Sequence, residues 1–252
     1  EVRAVESRHS RSPNQSRMKP FMSTTGCLFL GIFLIGRAPA AERPLRYKPA
    51  GTDFVIENGK SFFNRPLYAG NTGFRAEAGD LPEFAFHLPG RGGNIRLGIL
   101  PPDGGKGIWI FDAKSITARY RAGSMVYEIR DSLLAGATLT VTAIPMAAAE
   151  GLVVRASLAD SSTPLRLVWA FAGSDGNKGR RNGDLNAENE PLDRFFQFTP
   201  DRGKGATFVL RPDGFTFTGK PGKLSALLPP GTKPMLADAS QWPSPGALLA
   251  SK

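Results

Sequence analysis

Residues 63–100 read FNRPLYAGNTGFRAEAGDLPEFAFHLPGRGGNIRLGIL, and three alternating segments divided by two glycine-rich turns decide the fold. Phe74, Ala76 and Ala78 share one face of the first segment, and Arg75 and Glu77 the other. Phe84, Phe86 and Leu88 alternate with Glu83, Ala85 and His87, and Ile95, Leu97 and Ile99 with Asn94, Arg96 and Gly98. A period of two puts each apolar triplet on one side of a pleated strand, so the stretch reads as a half-buried antiparallel meander. Its turns, 79–82 and 89–93, are built of Gly, Asp and Pro, which supply the dihedral angles that tight reversals need. The density of polar groups at these turns makes them the candidate ligand-facing edge.

The same rhythm continues downstream. Phe54–Glu57, Gly107–Asp112, Ser115–Arg121, Ser124–Arg130, Thr138–Ile144, Leu152–Leu158, Leu165–Phe171, Phe195–Phe198, Thr207–Leu210 and Phe215–Thr218 all read as strands. Regular short strands with turns between them, and no convincing amphipathic helix, predict an all-β antiparallel sandwich. Phe84, Phe86, Ile95, Leu97, Trp169 and Phe171 are its expected core, with Arg75, Glu83, Arg96 and Arg166 more exposed.

Two segments break the rhythm. Residues 173–194 (GSDGNKGRRNGDLNAENEPLDR) form a long polar insertion, a kind of loop that in compact domains is often functional. Residues 219–252 are proline-rich with no sustained period, and read as a linker leading to a C-terminal domain that this chain lacks.

At the other end, Met18 and Lys19 precede the apolar run Cys27–Gly36 and the small-residue site Ala38-Pro39-Ala40. That is the anatomy of a secretory signal peptide over 18–40, too short in its apolar part to span a bilayer. Residues 1–17 then read as an over-extended start, and the mature β domain as 41–218. Residues 1–40 hold six Lys/Arg, two Asp/Glu and the sole Cys; without them 26 basic and 20 acidic residues remain, net +6. A periplasmic or secreted chain without Cys forms no disulfides, so an apolar core must hold it together. The Lys and Arg are scattered rather than gathered in a stripe, which argues against nucleic acid and leaves acidic polysaccharide as a partner.

No motif predicts a cofactor or a metal. In the insertion, Asp175, Asn177, Asp184, Asn186, Glu188 and Glu190 suggest oxygen ligands, but Gly179 and Asn186 occupy positions where a calcium loop needs a ligand and a bidentate Glu. The loop 90–94 lacks the following helix that a phosphate cradle uses. His87, the one His of the mature chain, has no Cys beside it in that chain, so nucleophilic catalysis is not indicated. Asp80, Glu83, Asp112, Asp184 and Glu188 are the carboxylates available for the acid–base pair of a glycosidase, but no local motif pairs them. Trp109, Trp169 and Phe171 fit core positions better than sugar-stacking platforms.

The string 58–98, through NRPLY, GNTGFR, AGDLPEF and LPGRGGNIRLG, resembles the bacterial family known as domain of unknown function 4450, and the likeness continues more loosely to Phe198. The resemblance implies the N-terminal β domain of large secreted proteins that continue into a helical, six-hairpin glycosidase-like region. It supplies no catalytic residues. The reading that follows is an exported accessory domain of a polysaccharide-degrading protein, without turnover of its own. A stand-alone carbohydrate-binding module and a free-standing glycosidase with a carboxylate pair in one cleft are the alternatives. Asn71, Arg75, Asp80, Arg91, Asn94, Asp184 and Asn186 are the candidate contacts to sugar or to the missing domain.

Overall fold

The computed structural model describes residues 45–251 except 69, 71, 89, 90, 162, 163, 176–190 and 221. The proposed leader and the heart of the insertion therefore lie outside the described residues. Fifteen strands are described: β1 (Lys48–Ala50), β2 (Asp53–Glu57), β3 (Arg65–Leu67), β4 (Arg75–Ala78), β5 (Glu83–Leu88), β6 (Arg91–Leu100), β7 (Ile108–Trp109), β8 (Ser115–Arg121), β9 (Ser124–Arg130), β10 (Thr138–Pro145), β11 (Leu152–Ala159), β12 (Arg166–Asp175), β13 (Thr207–Arg211), β14 (Gly214–Gly219) and β15 (Gly222–Leu227). Two short helices join them, α1 (Leu192–Phe196) and α2 (Pro245–Ala250).

The strands form three antiparallel sheets. The first runs β1-β2-β8-β9-β10-β11; the second runs β12-β6-β5-β4-β3, with β7 added to β6; the third is β13-β14-β15. The protein is thus all-β, as the alternation predicts. The main core lies between the first two sheets, where Ala76, Phe84, Leu97 and Ile99 meet Ile116, Met125, Tyr127, Ile129 and Val141. Phe84 meets Tyr127 edge to face at 5.8 Å, and the Tyr127 hydroxyl donates across the core to the Gly79 carbonyl at 2.9 Å. Gly79 has no room for a side chain, since a Cβ there would lie 2.5 Å from the Ser61 carbonyl oxygen.

Several expectations need correction. Phe84 and Leu97 are buried, but Phe86, Ile95, Trp169 and Phe171 are only partly so. Trp169 and Phe171 pack instead on the third sheet, with Trp169 stacked on Phe215 at 5.8 Å and Phe171 tilted on it at 5.2 Å. Arg166 is exposed as expected, yet Glu83 is 1% exposed and Arg96 6%. The face read as solvated is buried because other segments cover it. Phe195–Phe198 is not a strand: Phe195 and Phe196 end helix α1 and roof this face beside Phe63 and Ala85. Gly107–Asp112 shortens to β7 followed by a 3-10 turn over Ile110–Asp112.

The linker reading of 219–252 is also corrected. β15 completes the third sheet, and Trp242 and Leu248 bury themselves with Trp109, Ala172 and Phe198. Ser244 caps α2 by accepting from the Ala247 amide, with Pro245 at the start of the helix where its missing N–H costs nothing. Gly98 admits this segment to the sheet, since a Cβ there would lie 3.2 Å from Pro245.

Candidate functional site

The register of β5 on β6 places Glu83 opposite Arg96, Ala85 opposite Asn94 and His87 opposite Gly92. On β4, Glu77 faces Ala85 and Arg75 faces His87. Strand alternation therefore gathers Arg75, Glu77, Glu83, His87, Asn94 and Arg96 on one face of the second sheet. Buried charges survive only when paired and hydrogen-bonded, and Glu83 and Arg96 are. Arg96 Nε donates to Glu83 Oε2 at 2.9 Å, and Asn94 Nδ2 donates to Glu83 Oε1 at 3.1 Å. Asn94 also donates to the Phe196 carbonyl at 2.9 Å, tying α1 to the sheet. Arg75 Nε donates to Glu77 Oε1 at 2.5 Å.

Arg96 is the most constrained group. Its Nη1 donates to the Trp242 carbonyl at 3.1 Å, and its guanidinium lies 4.7 Å from the Trp242 ring centre, 5.0 Å from Phe111 and 5.9 Å from Trp109. Trp109 Nε1 donates to the same Trp242 carbonyl at 3.2 Å. Burial pushes the Glu83 carboxyl upward while Arg96 and then Asn94 pull it down.

Over this pair lies a cavity of about 520 Å³, within the size range of small-molecule sites. Phe62, Phe63, Leu81 and Phe111 give it an apolar wall, with Glu83 and Arg96 as its floor. Asp112, Asp193, Arg194 and Gln197 supply its polar rim. Phe62 and Phe111 meet edge to face at 5.4 Å. Burial raises the Asp112 carboxyl against the pull of Arg96. It also raises the Asp193 carboxyl, helped by the nearby charge of Asp80 and opposed by Arg46 and by the hydrogen bond that Asp193 accepts from the Phe62 amide.

Of the seven sequence-predicted contacts, the structure brings Arg75 and Asn94 to the buried polar face. Asn94 is 3% exposed and fully engaged between Glu83 and Phe196, so it joins α1 to the sheet rather than reaching a ligand. Asp80 is 0% exposed and acts as a knot: it accepts from the Tyr47 hydroxyl at 2.8 Å, Asn64 Nδ2 at 2.9 Å and the Ser61 amide at 3.1 Å, and pairs with Arg46. Asn71, Asp184 and Asn186 fall outside the described residues, as does the side chain of Arg91. Glu83 and Asp112, weighed from sequence only as unpaired carboxylates, line one cavity. Arg96, Phe111, Asp193, Arg194 and Gln197 were not singled out as site residues. The signal available for Arg96 was its register opposite Glu83, an opposite-charge cross-strand pair in the meander.

His87 sits below a second cavity of about 20 Å³, with its ring edge-on to Phe196 at 5.3 Å. Its Nε2 has no hydrogen-bond partner among the described residues. Burial, then the Arg75 charge, lowers its pKa to about 4, so the ring is neutral at pH 7. No group of three or more His, Cys, Asp or Glu among the described residues is arranged to hold a metal ion. No described helix is long and apolar enough to cross a membrane.

A family model described as a domain of unknown function (DUF4450) matches residues 88–252. The matched span runs from the end of β5 through α2, and takes in Arg96, Asp112, Asp193 and Trp242. It shares only its first residues with the string 58–98 that suggested the same family. No curated protein and no solved structure matches the chain.

Proposed function

We propose, for a chain that belongs to the family described as a domain of unknown function (DUF4450), that it is an exported β-sandwich accessory domain of a polysaccharide-degrading, glycoside hydrolase-like protein, and that it holds saccharide in the cavity over Arg96. The observation that carries the reading is the lining of that cavity. A pyranose ring presents flat C–H faces and a rim of hydroxyls. The Phe62 and Phe111 rings suit the faces, while Asp112, Asp193, Gln197 and Arg194 supply acceptors and donors for the rim. Both oxygens of Glu83 are engaged by Arg96 and Asn94, so Glu83 serves the floor and not the chemistry. A helical glycosidase-like partner domain supplies turnover in this reading, and nucleic acid has no part in it.

The test is isothermal titration calorimetry of the protein against a panel of oligosaccharides. Phe111→Ala and Gln197→Ala are each expected to weaken binding at least tenfold with little change in melting temperature. Absence of binding across the panel, or binding indifferent to both changes, defeats the reading.

A second reading is favoured by one observation, the convergence of Asp112 and Asp193 on the same cavity. Two carboxylates flanking a glycosidic bond are the equipment of a hydrolase. In a free-standing enzyme, reducing sugar would be released from a bound oligosaccharide, and Asp112→Asn or Asp193→Asn would abolish the release. A wild-type protein that binds oligosaccharide without releasing reducing sugar leaves the accessory reading standing alone.

A further inference from the structure

The whole chain is basic, at +10, yet the cavity is not. Arg96 is neutralised by Glu83, and its guanidinium carbon lies over the Phe111 and Trp242 rings. Among the described residues, the charged groups that remain at the rim are Asp112, Asp193 and Arg194, an excess of one negative charge. Buried Asp80, whose charge is felt at Asp193, is paired with Arg46, which opposes it there. One nitrogen of the Arg96 group is left unengaged by the described residues. Its Nε and Nη1 are used, whereas Nη2 makes no hydrogen bond among the described residues, and the side chain lines the cavity while only 6% exposed.

We propose that the cavity selects uncharged sugars, with Asp112 and Asp193 the residues that turn uronic acid-bearing chains away. This rests on the saccharide-binding reading above, and it replaces the acidic polysaccharide suggested by overall charge. The physical case is one of differential cost. A carboxylate is a strong acceptor for a pair of neighbouring sugar hydroxyls, so Asp112 and Asp193 gain hydrogen bonds from a neutral ring. A uronate brought to the same rim adds a third negative charge against the single positive charge of Arg194, and like charges within a few ångströms repel even at a solvated surface. Both rim carboxyls are solvent-exposed, and the partial burial at the cavity mouth raises each of them. The Arg96 donor does not offset this repulsion: its charge is matched by Glu83, and it offers Nη2 as a directional donor to a hydroxyl oxygen. Specificity of this kind comes from an element that repels the wrong ligand as much as from one that attracts the right one. The general positive charge of the chain draws acidic polymers to the surface at low salt, but salt screens that attraction.

The experiment uses the full chain in about 0.15 M salt, where exposed charges more than about 8 Å apart are screened. Neutral xylo-, manno-, gluco- and galacto-hexaoses and a hexagalacturonate are titrated by calorimetry. The wild type is expected to bind at least one neutral hexaose, and hexagalacturonate at least tenfold more weakly. In the Asp112→Asn Asp193→Asn double variant the neutral-to-uronate affinity ratio should fall at least tenfold. Should the double variant fail to fold, each single variant is expected to lower the ratio at least threefold. A uronate that binds the wild type as tightly as the best neutral hexaose, or a ratio unmoved by the substitutions, overturns the selectivity while leaving saccharide binding intact. Binding of neither class overturns the saccharide reading, and the selectivity with it.

Discussion

Glu77 and His87 occupy the same buried face and titrate in opposite senses. Burial raises the Glu77 carboxyl to about 7 against the pull of Arg75, while it lowers the His87 ring to about 4. Glu77, with its folded value above the ordinary 4.5, contributes stability that is whole below pH 4.5 and lost as pH rises towards 7. His87, with its folded value below the ordinary 6.5, contributes stability that is whole above pH 6.5 and lost as pH falls towards 4. Between these limits the two slopes oppose each other. Glu77→Gln should therefore gain about 2 kcal/mol relative to the wild type on going from pH 4.5 to 6.5, read by urea denaturation at both values. A variant that tracks the wild type across that interval would mean that Glu77 is charged in the folded protein. The Asp80 knot gives a second residue-scale expectation. Asp80→Ala leaves the Tyr47 hydroxyl and Asn64 amide without their acceptor, at a cost of about 3 kcal/mol. Calorimetric melting checks it, and a loss within error would show that the knot is dispensable.

At the scale of elements, the alternation of apolar residues located β5, β8 and β9 to the residue, because each side chain there reports its own face. It could not report what covers a polar face. Glu83 and Arg96 read as solvated because their roof comes from Phe196, about a hundred residues on, and from Trp242, farther still. The helix α1 was missed for a related reason: Phe195 and Phe196 are a β-like pair, and only tertiary packing turns them into a helical lid. The proline-rich tail was misread because Pro marks breaks in periodicity and not the absence of packing. Two substitutions separate these cases. Trp242→Ala should cost about 3–5 kcal/mol, as truncation of a buried aromatic does, and should loosen α2; a linker tryptophan would cost almost nothing. Phe84→Ala should cost more than Trp169→Ala, since Phe84 is wholly enclosed while Trp169 is partly open beside Phe215. Chemical denaturation of both variants decides it, and the reverse order would place the main core at the third sheet.

For the whole molecule, the class of fold was legible from local pattern alone, whereas the cavity was not. Glu83 and Asp112 were visible as carboxylates, but their convergence depends on a turn after β7, a sheet pairing and a lid from α1, none of which leaves a local motif. Export belongs to this scale too. Cleavage after Ala40 should leave a mature chain beginning at Ala41, read by intact mass of material recovered from the periplasm or medium. Intracellular protein that retains residues 18–40 would defeat that expectation.

The bond from Arg96 to the Trp242 carbonyl spans 146 positions of sequence, so the floor of the second sheet closes only when a segment far along the chain has joined it. While a ribosome is still making the segment before Trp242, the second sheet already exists as sequence, but its central guanidinium lacks one partner and the face of one indole. The nascent domain must then wait, with a charged face unsealed, for nearly the whole of 88–252 to emerge. In the proposed reading, competence to hold a ligand is acquired only once Trp242 has joined the second sheet, rather than strand by strand. A chain cut short of Trp242 would carry most of the strands and an open floor.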